Sequence, residues 1–172
     1  MTALTEFLTA VDAFMPPRKV LIGADGPHAW QPGRDEGELC LKLPLEIGGE
    51  QRGQYLWIRA YPEHPTLKFC IGILFGRPIV CRLDFNLEAV HGNNFAPPGL
   101  GLPSLVKGPH WHSWEINRPL FVSVSSYTKL KCAVPLDAGI RKFDPALRWY
   151  CGKRNIELNQ HQIALPERRR LV

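Results

Sequence analysis

LKFCIGILFGRPIVCRLDF, residues 67–85, decides the fold. Two runs rich in β-branched and aromatic residues, 67–75 and 79–85, flank Gly76-Arg77-Pro78. So short a link leaves no room for a crossover helix, so the two runs must pair as an antiparallel hairpin. Upstream, ELCLKLPLEI (38–47) alternates strictly: Leu39, Leu41, Leu43, Leu45 and Ile47 share one face, and Cys40, Lys42, Pro44 and Glu46 the other. That is the period of a half-buried strand. Gly48-Gly49 signals a turn, and Gln54 to Tyr61 reads as the returning strand. Pro44 has no N–H for a ladder, so an edge position is expected for its strand.

Working outward, residues 3–14 carry Leu4, Phe7, Leu8, Val11 and Phe14 at helical spacing, with Thr2 as N-cap and Pro16-Pro17 as stop. Residues 18–37 read as irregular, with room for a short strand at 19–22. On the far side, 120–126 and 129–135 read as a further strand pair. A helical stretch then runs from Pro135-Leu136-Asp137 to about Arg154, striped by Ile140, Phe143, Leu147 and Tyr150. Asp144-Pro145 either breaks it or starts a second helix with Asp144 as cap. The expected architecture is a single α+β domain over residues 1–172. A mostly antiparallel sheet of five to seven strands carries the N-terminal helix and the C-terminal helical segment on one face.

Bulk properties limit the function classes. A chain of 172 residues with 45% hydrophobic content can bury a core without help from a disulfide or a metal. No apolar run approaches the roughly 20 residues of a membrane span, and Glu6 and Asp12 interrupt the apolar N-terminus. A cytoplasmic protein with no membrane association is expected. Cys40, Cys70, Cys81, Cys132 and Cys151 are odd in number and form no CxxC pair, so free thiols are expected. Cys132 and Cys151 are the candidates should one be a nucleophile. The net charge of +5 suits an anionic partner such as RNA. Arg168, Arg169 and Arg170, in a basic tail at 166–172, are either a solvated end or an arm for phosphates. No GxxxxGK, GxGxxG or GxSxG occurs, which argues against nucleotide hydrolysis, dinucleotide redox chemistry and serine hydrolysis.

The long departure from periodicity is residues 86–109, NLEAVHGNNFAPPGLGLPSLVKGP, which delivers the chain into His110-Trp111-His112. An irregular stretch of that length in one domain is usually functional or mobile. With residues 110–118 read as a strand, His110 and His112 share a face with Cα atoms roughly 6.5–7 Å apart, and Trp111 turns the other way. A loop that leaves the sheet and returns can add His91. Such a trio supports three readings. The imidazoles can converge on zinc or manganese with a position open for water. They can divide acid and base work. Or they can be structural, or face a partner. The acid–base reading suits RNA cleavage: Lys107 and Arg118 would neutralise phosphate, Asn93 or Asn94 would donate to it, and Trp114 would stack on a base. A cupin-type site would need Glu115, which has the wrong parity without a β-bulge. Asp84 and Glu88 are weaker carboxylate candidates at a strand end, and Glu36 and Glu38 stand near Lys42.

Three segments carry a resemblance: His91-Gly92-Asn93, then Gly108-Pro109-His110-Trp111-His112, and more distantly Trp149-Tyr150-Cys151 with Ile156. Together, over about residues 67–156, they resemble a family of short bacterial and phage proteins of undescribed function. That family has a His-x-Asn loop followed by a Gly-Pro-His-x-His strand. It carries Asn-Pro-Asp-Gly where this chain has Asn93-Asn94-Phe95-Ala96-Pro97. The resemblance implies a mobile-element or host–phage conflict setting and brings no reaction with it.

The leading expectation is a metal-independent endoribonuclease without a cofactor. His110 and His112 act as acid and base in either order, and His91 and Asn93 assist. Lys107 and Arg118 hold phosphate, and Trp114, Asn94 and Arg168–Arg170 contact the RNA. One alternative is a zinc- or manganese-dependent hydrolase built on His91, His110 and His112. The other is a non-catalytic protein that binds and regulates a defence or toxin system.

Overall fold

The hairpin forms as expected and sits at the centre of a larger sheet. The structure is a computed structural model that describes residues 2–23, 28–124, 129–158 and 163–166. In chain order the elements are α1 (Ala3–Phe14), β1 (Lys19–Leu21), β2 (Gln31–Pro32), β3 (Leu39–Ile47), β4 (Glu50–Ala60), β5 (Lys68–Phe75) and β6 (Ile79–Asn86). Then come β7 (Val90–Gly92), β8 (Leu105–Lys107), β9 (His110–His112), α2 (Trp114–Asn117), a 3-10 turn (Arg118–Leu120), β10 (Val134–Pro135), α3 (Phe143–Lys153) and β11 (Ile156–Glu157). The main sheet runs β10-β9-β6-β5-β4-β3-β1-β11, with β2 also on β3, and only β1 with β11 is parallel. These nine strands among the described residues exceed the five to seven expected. The unexpected strands are β2 and β11, ladders of two residues too short to leave a period in the sequence, whereas β1 falls in the short strand expected at 19–22 and β10 is the end of the run expected at 129–135. β7 and β8 form a separate two-stranded sheet inside the long loop.

Alternation assigns the two faces. Cross-strand register aligns Leu43, Leu56 and Ile73, and in the same way Leu41, Ile58, Ile71, Leu83 and Trp111. These residues are buried, several completely, and each such aliphatic side chain contributes about 1.5–3 kcal/mol. Both long helices pack on this face. Phe14 of α1 meets Phe75, Phe143 of α3 meets Phe69, and Tyr150 meets Trp111. Thr2 caps α1 by accepting from the Thr5 N–H. The opposite face carries Arg59, Cys70, Arg82, Asp84, His110 and His112, and the candidate site forms there.

Four local expectations need correction. β3 is interior, and Pro44 is accommodated where its register with β4 shifts, between Pro44 and Glu46, so the ladder is interrupted where its N–H is missing. The strand pair at 120–126 and 129–135 does not form among the described residues. Pro119 lies in a 3-10 turn, residues 121–124 have no regular structure, and only Val134–Pro135 joins the sheet, on β9. The strand at His110 ends after three residues, because Ser113 accepts from the Ile116 N–H and starts α2. α3 begins at Phe143 with Lys142 as its N-cap. Pro145 therefore falls in the first turn, where no N–H has a helical partner to lose.

All five cysteines are free. Burial pushes the Cys151 thiol up to about 12 and also raises Cys132, so neither is an activated nucleophile. Among the described residues no helix is long and apolar enough to cross a membrane.

Candidate metal centre

Two neighbouring strands and a returning loop build the site. In the register of β6 with β9, Asp84 lies opposite His110 and Arg82 opposite His112. Arg-x-Asp on one strand thus faces His-x-His on the next, all four side chains on the same face. The loop then folds back as β7 and β8, with His91 opposite the buried Val106. Gly108, at φ +76°, turns the chain from β8 into β9. The result brings the three imidazoles together. Their ring centroids lie 4.7, 5.0 and 5.3 Å apart, and one nitrogen from each lies within 4.8 Å of the others.

The backbone decides which nitrogens these are. His110 Nδ1 lies 2.9 Å from the Gly108 carbonyl oxygen and His112 Nδ1 3.0 Å from that of Cys132. His91 Nε2 lies 3.1 Å from the Lys131 carbonyl oxygen. A carbonyl only accepts, so each of these ring nitrogens donates an N–H. In the neutral rings His110 Nε2, His112 Nε2 and His91 Nδ1 are left as lone-pair donors. Metal-ligating histidines are usually held this way, one nitrogen on an acceptor and the other on the ion.

Asp84 sharpens the point. Its Oδ2 lies 3.5 Å from His110 Nε2 and 3.3 Å from His112 Nε2. Charge-assisted N–H···O bonds are about 2.7–2.9 Å long, so these contacts are too long for that. They match the edges of a tetrahedron around a zinc-like ion. Bonds of about 2.0–2.1 Å to nitrogen and 2.0–2.2 Å to oxygen put ligand atoms roughly 3.3–3.5 Å apart and ring centroids roughly 5 Å apart. His112 Nε2 is buried and has no hydrogen-bond partner, an orphan that a cation would satisfy.

Electrostatics favours the ligand forms. Burial lowers the His91 and His112 pKa values, opposed by the Lys131 carbonyl at His91 and by Asp84 at His112. Both are thereby biased to the neutral form that binds metal. Burial alone would raise the Asp84 pKa, but the His110 and His112 imidazoles and the Arg82 guanidinium more than offset it. Asp84 is held well below the usual carboxylate range. Arg82 Nη2 lies 2.7 Å from Asp84 Oδ2 and fixes the carboxylate from behind.

Two asparagines hold the carbonyls in place. Asn117, buried, accepts from the Lys131 and Cys132 N–H groups at 2.8 and 2.9 Å and donates to the Cys132 and Ser113 carbonyls. Asn93 accepts from the Ala133 N–H and donates to the Ala133 and Pro103 carbonyls. Segment 131–133 has no ladder of its own, and these amides stand in for one.

The other sequence candidates are placed differently. Asn93 is buried, and its side-chain amide is engaged by the backbone of Pro103 and Ala133. Asn94 is exposed beside Gly92. Lys107 is exposed one residue from the inward-facing Val106, so it lies on the face of β8 away from His91, where it borders a separate apolar cleft of about 500 Å³. Trp114 is buried and donates to Asp12, and Arg118 is bidentate on the same carboxylate, so both lie against α1 rather than beside the histidines. Glu115 pairs with Arg154, and no cupin arrangement forms. Arg168, Arg169 and Arg170 lie outside the described residues. Asp84, a minor candidate in the sequence, is central. Arg82, Asn117 and the carbonyls of 131 and 132 gave no sign there, because their roles depend on strand register and long-range contact. No family model, curated protein or solved structure matches the chain.

Proposed function

We propose that the protein binds one divalent transition-metal ion, zinc by the nature of the donors, through His91 Nδ1, His110 Nε2 and His112 Nε2 with the Asp84 carboxylate beside them. The activity that follows is metal-dependent hydrolysis. The carrying observation is that every imidazole has one nitrogen on a backbone carbonyl, that one nitrogen from each ring lies within 4.8 Å of the others, and that Asp84 Oδ2 lies 3.5 and 3.3 Å from the free Nε2 atoms of His110 and His112. Such an ion polarises a substrate oxygen and lowers the pKa of a bound water. The chain's own residues do the rest. Arg82 orients Asp84, the carbonyls of Gly108, Lys131 and Cys132 fix the imidazoles, and a cleft of about 150 Å³ lined by Asp84 and His110 admits substrate.

This reading is better supported than metal-independent RNA cleavage. In that mechanism the acid and base stand on opposite sides of a phosphodiester. Here both Nε2 atoms aim at one carboxylate, and Lys107 and Arg118 do not flank them. The host–phage conflict setting implied by the resemblance is kept as part of the proposal, with RNA among the anionic substrates to be tried.

The test is metal analysis of purified protein, followed by assays on labelled RNA, a phosphomonoester and a carboxylic ester, with zinc or with EDTA. Zinc-dependent turnover lost in His112→Ala supports the proposal. RNA cleavage that persists in EDTA and is lost in His110→Ala overturns it in favour of acid–base catalysis. Bound zinc with no turnover of any class leaves a metal-stabilised binding protein.

A further inference from the structure

The cleft beside Asp84 extends away from the histidines across two more strands. Register places Arg59 opposite Cys70, Cys70 opposite Asp84, and Asp84 opposite His110, one row on the polar face. The cleft is lined along this row by Arg59, Cys70, Asp84 and His110, with Tyr61 and Lys68 at the far end. Strands stand about 4.8 Å apart, so the Arg59 and Asp84 backbones are roughly 10 Å apart.

The cations at that far end are held but not saturated. Arg59 stacks on Trp57, its guanidinium carbon 4.7 Å from the ring centroid. Its ion pair with Glu38 is a single contact of 3.2 Å from Nη1, against about 2.7–2.9 Å for a well-formed charged hydrogen bond. Arg59 Nε is buried without a hydrogen-bond partner. Glu38 is occupied elsewhere, accepting 2.7 Å from the Tyr61 hydroxyl and 3.2 Å from the Cys40 thiol. Lys68 rests its ammonium 4.3 Å from the Tyr61 ring centroid, with no carboxylate partner among the described residues. Around the cleft stand Arg59, Lys68 and Arg82 with the Glu38 and Asp84 carboxylates, and Asp35 acts on Tyr61 from farther out, so the charges balance until a bound divalent ion tips the cleft positive. A volume of about 150 Å³ is roughly five water molecules' share of liquid, room for an oxyanion group.

We infer that the Arg59–Lys68 end of this cleft is an oxyanion subsite, which holds a terminal phosphate or carboxylate of the substrate while the bond to be cleaved lies at the Asp84–His110 end. The inference rests on the metal-centre reading for which end does the chemistry. The subsite itself is testable without it.

Inorganic phosphate and acetate, as separate probes, are titrated calorimetrically into full-length protein loaded with one zinc and into zinc-free His112→Ala protein. At least one probe binds the loaded wild type. Lys68→Glu weakens that binding tenfold or more with zinc content unchanged. Arg59→Lys, which keeps the charge beside Glu38 but loses the planar fork, also weakens it. In His112→Ala protein binding is weaker yet still sensitive to Lys68→Glu. Binding of phosphate alone assigns phosphate-ester substrates, and binding of acetate alone assigns carboxylates. If neither probe binds, or if binding to loaded protein ignores both substitutions and vanishes without zinc, the subsite is overturned. A wild type that takes up no zinc but binds an anion in a Lys68-dependent way overturns the metal centre and leaves the subsite standing.

Discussion

Asn117→Ala separates positioning from ligation. Asn117 touches none of the proposed ligands through its side chain, yet it fixes the backbone whose carbonyls orient two of them. Removing it strips partners from the Lys131 and Cys132 N–H groups. The Cys132 carbonyl still accepts from His112, and the Ser113 carbonyl keeps the Asn117 N–H at 3.3 Å. Two orphaned donors, one buried and one half-buried, cost about 3 kcal/mol together. For a chain of 172 residues that is a fall in Tm of about 6–12 °C. Freed of the staple, the carbonyls of 131 and 132 lose their aim, and zinc affinity falls about 10- to 100-fold. Calorimetric melting and competition with a chromophoric chelator read the two effects. Asn117→Asp retains an acceptor for both N–H groups but sets an oxygen against two carbonyls, and falls between wild type and alanine. A melting point lowered as stated with wild-type zinc affinity would refute the reasoning that the carbonyls orient His91 and His112.

Asp84→Asn keeps the shape but not the charge, so zinc binding weakens at least tenfold while Arg82 loses its partner; titration with and without added salt checks it. Lys19→Met leaves the carbonyls of Met15, Pro17 and Arg154 without their ammonium donor, and about 2–4 kcal/mol of stability is lost in urea unfolding. Burial would raise the Glu38 pKa, but hydrogen bonds from Tyr61 and Cys40 and the Arg59 charge more than offset it, so the folded value lies below the unfolded one. Its contribution is therefore present above the unfolded glutamate pKa and lost as pH falls through the folded one. The stability gap between wild type and Glu38→Gln narrows on acidification below about pH 4.5, as paired urea melts at each pH would show.

What was legible in the sequence followed periodicity. The alternation of residues 38–47, the two runs about Gly76 and the helical spacing after Thr2 each report a buried face, and each element formed. His110 and His112 share a face for the same reason, and the loop does return His91 to them. Partners that depend on register stayed hidden. Arg82 and Asp84 alternate as plainly as the histidines, but only the pairing of β6 with β9 puts one pair opposite the other. Trp114 and Arg118 misled because the strand was extended through Ser113, although Ser113 followed by Glu115 reads as a helix start. The strand pair expected at 120–126 and 129–135 does not form among the described residues, where Asn93 and Asn117, distant in sequence, satisfy the backbone N–H groups of 131–133 that a ladder would have used.

The most direct test of the central claim is a crystal structure of protein purified with zinc, with anomalous differences measured on both sides of the zinc absorption edge. The account predicts one strong anomalous peak about 2.0–2.1 Å from His91 Nδ1, His110 Nε2 and His112 Nε2, with an Asp84 oxygen in its coordination sphere. No peak there, together with an Asp84 oxygen drawn in to a short hydrogen bond with a protonated His112, would contradict it.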